Sequence, residues 1–234
     1  MFVHLLPTMP DAEPLETPDV SVATRGDDAA TASRKRPKPG ERRLQILQAL
    51  ATMLEGPGAE RITTAALAAR LDVSEAALYR HFASKAQMFE GLIDFIEQSV
   101  FTLVNQVLDR THAATPAEAG PLADRQAAAI VTLVLQFAER NPGMARVMVG
   151  DALVYENERL QQRMNLFFDR IESTLRQCLR TAAEAAQSPT PTVDAQVRAS
   201  LMSAFAAGRL QRFTRSGFKR LPSEHLDACL ARML

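Results

Sequence analysis

Tryptophan is absent from this 234-residue chain, cysteine and tyrosine occur twice each, and the 27 lysines and arginines are matched by 27 aspartates and glutamates. Cys178 and Cys229 fall in helical patterns with no C-x-x-C spacing, so a disulfide scaffold or zinc ribbon has no basis and both read as buried or free thiols. The four histidines, His4, His81, His112 and His225, are scattered without H-E-x-x-H spacing. Neither a G-x-S-x-G elbow nor a Gly-rich phosphate loop is present. Carboxylates such as Glu156 and Glu158 read as acids at a polar helix start, where the dipole favours them without any chemistry. No enzyme, cofactor or metal is expected, because no constellation meets the first geometric requirement of an active site. No apolar run reaches the ~20 residues of a membrane span. The opening MFVHLLPTMP has no basic n-region and is interrupted by Pro7, so no secretory signal is expected and the cytoplasm is the expected location. No segment alternates with period two, which leaves an all-α fold, and 47% hydrophobic residues suffice for its core.

The zero net charge conceals segregation, and distribution matters more than the sum for a nucleic-acid partner. Residues 1–33 carry six acids against Arg25, with four prolines and no helical period. That composition reads as a disordered tail, assigned to residues 1–40. At residues 34–43 the sign reverses: Arg34, Lys35, Arg36, Lys38, Arg42 and Arg43 face Glu41 alone. Such an arm can lie along phosphates or enter a minor groove.

The stretch ITTAALAARLDVSEAALYRHFASKAQMF, residues 62–89, is the most informative. Thr63 or Thr64 can cap a short helix whose Leu67, Ala68 and Leu71 share one face. The chain then turns through Leu71 to Ser74, with Val73 plugging the angle and Ser74 capping a second helix from Glu75. In that helix Leu78 and Phe82 point inward with Ala77, while Ala76, Tyr79 and Arg80 share the outer face. Ser84 and Gln87 fit a capping box for a third helix, which places Lys85 beside the second. This is a helix-turn-helix, and its outer face is the one that would meet DNA.

Helical periods continue to the end. A first helix spans about Glu41–Glu55 and stops at Gly56-Pro57-Gly58. Helix four runs from Lys85 to about Leu108 along Phe89, Ile93, Ile96, Val100, Val104 and Val107. Phe95 stands roughly 120° from the centre of that stripe at 100° per residue, so it need not face the same core; the alternative is a second core contact with Met88 and Leu92. A connection is expected from Thr111 to Pro121, then helices at Leu122–Arg140, Gly143–Gly150, Glu158–Glu184 and Val193–Arg215, and a last one capped by Ser223. Because one short recognition helix reads only a few base pairs, such proteins usually place two copies on DNA. Candidate dimer surface is Leu201, Phe205, Leu226 and Leu230, with Val197 and Leu234; some of these can equally close the monomer core.

The segment LAARLDVSEAALYRHFASK, with its LYxHFxxK ending, resembles the signature of the TetR family of bacterial DNA-binding proteins, with Asp72 where that family usually has Gly. Asp tolerates the positive φ a turn residue often needs there. The resemblance implies a TetR-like fold of about nine helices, divided into a head at 41–86 and a helical dimerisation and partner-binding domain at 87–234. It implies no catalysis, and a DNA-contacting set of Thr63, Thr64, Ser74, Glu75, Ala76, Tyr79, Arg80 and Lys85. RRLQILQALATMLE, FAERNPGMARVMVGDAL, YENERLQQRMNLFFDRIE and RFTRSGFKRLP extend the likeness, together with the head, to the SlmA-like nucleoid occlusion proteins. That likeness implies homodimers on palindromic DNA scattered over the nucleoid, which when bound antagonise assembly of the tubulin-like GTPase FtsZ and so block septum formation. The FtsZ tail is then expected in a groove between helix four and the next, at positions matching Phe95, Leu133, Arg140 and Asn141. Leu103 and Gln136 replace a basic residue and a glycine of that pattern. A second reading stays open: a repressor released by a small ligand bound in the Met- and Leu-rich second domain.

Overall fold

The structure, a computed structural model, describes residues 40–56, 61–110 and 115–234. The expected acidic tail and the arm up to Pro39 lie outside the described residues, as does the connection at 111–114. Everything described is helix or turn, without a strand: α1 (Glu41–Glu55), α2 (Thr64–Arg70), α3 (Glu75–Tyr79), α4 (Lys85–Arg110), α5 (Pro116–Arg140), α6 (Pro142–Met148), α7 (Glu158–Ala185), α8 (Pro191–Arg215) and α9 (Leu226–Leu230). A 3-10 turn, Asp151–Leu153, leads from α6 towards α7. None of these helices is long and apolar enough to cross a membrane.

The first four helices share one small core. Ile46, Leu50 and Leu54 of α1 are buried with Leu67, Leu78, Phe82 and the start of α4 at Met88, Phe89 and Leu92. At 26 residues α4 is about 39 Å long. Its stripe passes from this core into that of the body, where Ile96, Val100, Phe101 and Val104 are buried and Val107 is half-buried. The main body packing is α7 against α8 and α5. Leu160, Met164, Phe167, Ile171, Leu175 and Leu179 of α7 are all buried, and the Phe167 ring meets that of Phe101 edge-on at 5.5 Å.

A ladder of charges flanks the α4–α7 contact. Arg159 pairs with Glu90, and Arg163 lies 2.6 Å from both Asp94 and Glu97. The Glu97 hydrogen bond foremost, then that to Asp94, outweighs desolvation and holds the Arg163 guanidinium more firmly protonated than usual.

α6 seats the head on the body. A Cβ at Gly143 would stand 1.9 Å from the carbonyl oxygen of Ala51 in α1. No other residue fits so close an approach of two backbones.

Two boundaries in the body differ from the periodic reading through contacts with distant residues. α5 begins at Pro116 rather than after Pro121, so half of the expected connection is helix. Tertiary contact overrides the breaker: a Cβ at Gly120 would lie 2.9 Å from that of Ala185, so the first turns of α5 dock on the end of α7. Ser223 does not cap the last helix; its hydroxyl donates to Glu139 at 2.6 Å, and α9 opens instead at His225, with φ 54°.

Candidate nucleic-acid interface

The head is built by the caps its sequence carries. Thr63 Oγ1 accepts from the amide of Ala66 at 3.1 Å, opening α2, and Ser74 Oγ accepts from that of Ala77 at 3.3 Å, opening α3. Between them Asp72 takes φ 53°, the left-handed conformation expected at that turn, and Val73 is half-buried against the core. α3 is one turn shorter than its periodic pattern, yet Leu78 and Phe82 both point inward. Ser84 Oγ accepts from the Gln87 amide at 3.2 Å, while Gln87 reaches back to the amide of Ala83 rather than Ser84. This is a capping box displaced by one residue.

The outer face gathers residues from both short helices. Thr64 Oγ1 donates to Glu75 Oε2 at 2.5 Å and accepts from Tyr79 Oη at 3.5 Å. The three tie the start of α2 to α3, and Tyr79 keeps 45% of its surface exposed. Ala76 and Arg80 are exposed beside them. The end of the basic arm adjoins this face: Arg43 stacks over Phe82, 4.1 Å from the ring centroid, and donates to the His81 carbonyl at 3.0 Å. Thr64, Glu75 and Tyr79 are therefore brought together, and Thr63, Ser74, Ala76 and Arg80 are exposed in or at the ends of the same two helices.

Lys85 has a partner that the sequence reading missed. Its Nζ lies 2.5 Å from Glu156 Oε1, and that carboxylate side chain is only 9% exposed. Glu156 is therefore not an acid of the α7 start, as its position suggests. α7 begins at Glu158 under an Asn157 cap, and Glu156 sits in the preceding turn against the head. No periodic signal links residues 71 positions apart. Arg61 and Tyr155 make a second contact across this junction, 5.8 Å from guanidinium to ring centroid.

On the body, an open groove of about 470 Å³ runs between α4 and α5, walled by Leu103, Gln106, Val107, Leu122, Ala129 and Leu133. A neighbouring cavity of about 510 Å³ adds Leu230 and Leu234 from the C-terminal end. Leu133 lines both. Phe95, Arg140 and Asn141 are not among the lining residues: Phe95 is half-buried against the core rather than exposed, Arg140 is exposed at the end of α5, and Asn141 donates to the Phe137 carbonyl at 2.7 Å. Of the expected dimer residues, Leu201 is 58% exposed and Phe205 half-buried, whereas Leu226 and Leu230 are buried within the protomer at 5% and 4% exposure. The short α9 folds back with its apolar side inward, leaving Val193, Val197 and Leu201 as a solvent-facing apolar stripe on α8. Cys178 is buried, which raises its thiol pKa, and Cys229 lies against Arg209. Among the described residues no cluster of His, Cys, Asp or Glu is arranged to hold a metal.

A capped helix-turn-helix on a three-helix head, continued by a long α4 into a helical body, defines a TetR-type DNA-binding regulator. Residues 46–92 match the family described as bacterial regulatory proteins, tetR family. Residues 125–233 match the SlmA-like family described as tetracyclin repressor-like, C-terminal domain. The chain is 52% identical over 187 residues to the nucleoid occlusion factor SlmA of Idiomarina loihiensis, covering 80% of this chain and 90% of that one. It is 49% identical to the SlmA of Vibrio cholerae, with the same coverage. The chain belongs to the SlmA family of nucleoid occlusion factors, which are DNA-binding proteins and not enzymes. Among solved structures the fold is similar to FadR from Bacillus subtilis in complex with stearoyl-CoA, with TM-score 0.62, 14% identity and 81% and 96% of the two chains covered. It is also similar to the TetR-family regulator PfmR from Thermus thermophilus, with TM-score 0.58, 21% identity and 81% and 97% covered. At such identities these two speak for the fold alone.

Proposed function

We propose that this protein is a homodimeric nucleoid occlusion factor: bound to palindromic DNA on the nucleoid in the cytoplasm, it antagonises FtsZ assembly and blocks septum formation over the chromosome. The observation that carries this reading is that likeness to the SlmA proteins runs through head and body together, over nine-tenths of a relative's length. A regulator related only through its DNA reader would share the head and diverge in the body. Residues 1–40 serve as tail and arm, 41–86 as the DNA reader, and 87–234 as the dimerisation and partner-binding domain.

In the reader, Arg80 and Lys85 supply charge for phosphates, Thr63 offers its hydroxyl at a helix start, and Tyr79 and Ala76 face the groove. Thr64 and Glu75, bonded to each other across the two helices, and Ser74 at the start of α3 complete the DNA-contacting set. In the body, the FtsZ tail lies along the α4–α5 groove over Leu133 and reaches beyond its lining to Phe95 of α4 and to Arg140 and Asn141 where α5 ends. Such a short peptide binds through a few apolar anchors and one charged contact. The apolar stripe of Val193, Val197 and Leu201, continued by Phe205, meets its twin across the two-fold axis.

A chromosome-wide map of binding in the host tests this reading. Many palindromes spread over the chromosome and sparse near the replication terminus are expected. Binding confined to one or a few promoters, released by a small molecule, would replace it with a ligand-responsive repressor.

A further inference from the structure

Between residues 195 and 223 the chain carries six cations, Arg198, Arg209, Arg212, Arg215, Lys219 and Arg220, and no acid. Arg198 is neutralised by Asp124 at 2.8 Å. Arg209 and Arg212 turn towards Glu224, the first to its carbonyl at 2.7 Å and the second to its carboxylate at 3.8 Å. Arg215, Lys219 and Arg220, at the end of α8 and in the turn beyond, are exposed, and their side chains form no hydrogen bond or ion pair among the described residues.

Two contacts set this end of α8 beside further cations. Ser223 is tied to Glu139, next to the exposed Arg140. Phe218 packs on Phe213 and carries Arg146 over its ring at 5.1 Å. Arg146 belongs to α6 and its Nε is buried without a hydrogen-bond partner. Arg146 stands three residues beyond Gly143, the point where α6 touches α1, so the cationic surface abuts the seam between body and DNA-reading head. A chain with no net charge thus concentrates uncompensated positive charge at the head-proximal end of its body.

We propose that Arg215, Lys219 and Arg220 form a second, sequence-independent DNA contact, taking backbone phosphates of the duplex that flanks the site read by α3. Clustered cations without acidic partners, adjacent to a DNA reader, are the electrostatic footprint of a phosphate-binding surface. An acidic peptide suits the arrangement less well, since none of the three cations lines either body cavity. The contact lengthens the footprint beyond the palindrome and adds affinity without adding sequence preference.

The test compares the full-length protein with a triple variant, Arg215→Ala, Lys219→Ala and Arg220→Ala, on two duplexes. One carries only the palindrome recovered by in vitro selection, and the other adds arbitrary flanks of about 15 base pairs on each side. With three phosphates engaged by each patch, the logarithmic salt slope on the flanked duplex is steeper for wild type by about 2.7 where one patch of the dimer engages and about 5.4 where both do. Each patch adds roughly a 40-fold difference in affinity loss between about 50 and 200 mM salt. On the short duplex the two proteins should bind alike. Equal affinity and slope on the flanked duplex would overturn the proposal. So would equal loss on both duplexes, which points to the head, or a loss confined to binding of an FtsZ-tail peptide, which assigns the patch to the partner instead. Exposed, unpartnered side chains make a folding defect unexpected, and matching thermal melts verify that.

Discussion

Replacing Gly143 with alanine perturbs the join between head and body at one atom. The added Cβ would meet the Ala51 carbonyl oxygen at 1.9 Å, the Ala51 carbonyl carbon at 2.9 Å and Leu54 Cβ at 3.2 Å. The first two are backbone atoms of α1, so no side chain can rotate away. Either α6 withdraws by more than about 1 Å or α1 shifts with the head. Overpacking in a close-packed interior typically costs about 1–3 kcal/mol, and a backbone obstacle belongs at about 3 kcal/mol. Ala is otherwise the better helix residue, which returns at most about 1 kcal/mol, so a net loss of roughly 2 kcal/mol is expected. For a chain of this size that lowers Tm by about 4–8 °C. Differential scanning calorimetry gives the stability, and fluorescence anisotropy on the selected palindrome gives the accompanying loss of DNA affinity as the two heads lose their fixed spacing. A Tm within about 1 °C of wild type together with unchanged DNA affinity would refute the seating of α6 on α1.

The buried and exposed leucines separate folding from assembly: Leu230→Ala, a core truncation, should cost about 2–5 kcal/mol in denaturant unfolding. Leu201→Asp on the exposed α8 stripe should instead yield folded monomers by sedimentation equilibrium, and an unaltered dimer would move the interface elsewhere. Arg80→Ala and Lys85→Ala should each weaken palindrome binding and, where the side chain meets a phosphate, flatten the logarithmic salt slope by about 0.9 for each phosphate no longer neutralised, as titrations between roughly 50 and 200 mM salt would show. Because Lys85 also meets the nearly buried Glu156, its removal should in addition lower stability, an effect that Arg80→Ala should lack.

Local features were legible in the sequence because their causes are local. Thr63, Ser74 and Ser84 cap helices through amides of the following turn, and Asp72 answers a φ requirement of its own backbone. The stripe of α4 and the broad face of α7 are likewise properties of a single helix. What stayed hidden depends on distant partners. Pro121 looked like a boundary until Ala185 of α7 came against Gly120, and Ser223 looked like a cap until Glu139 claimed its hydroxyl. Leu226 and Leu230 carry an apolar period that fits a dimer face and a protomer core equally well. Only the return of α9 onto the body decides for the core. In the candidate sites, the outer face of the head could be read from period and caps. The Lys85–Glu156 contact across the junction could not.

The central claim is that this protein, once bound to DNA, acts on FtsZ. The direct measurement is pelleting of GTP-assembled FtsZ from the same host, with the protein present and the palindromic duplex added or withheld. Pelleted polymer should fall sharply only when the duplex is present, and Phe95→Ala and Arg140→Asp should abolish this effect while still binding the duplex. Polymer that stays in the pellet with fully DNA-bound wild-type protein would contradict the claim.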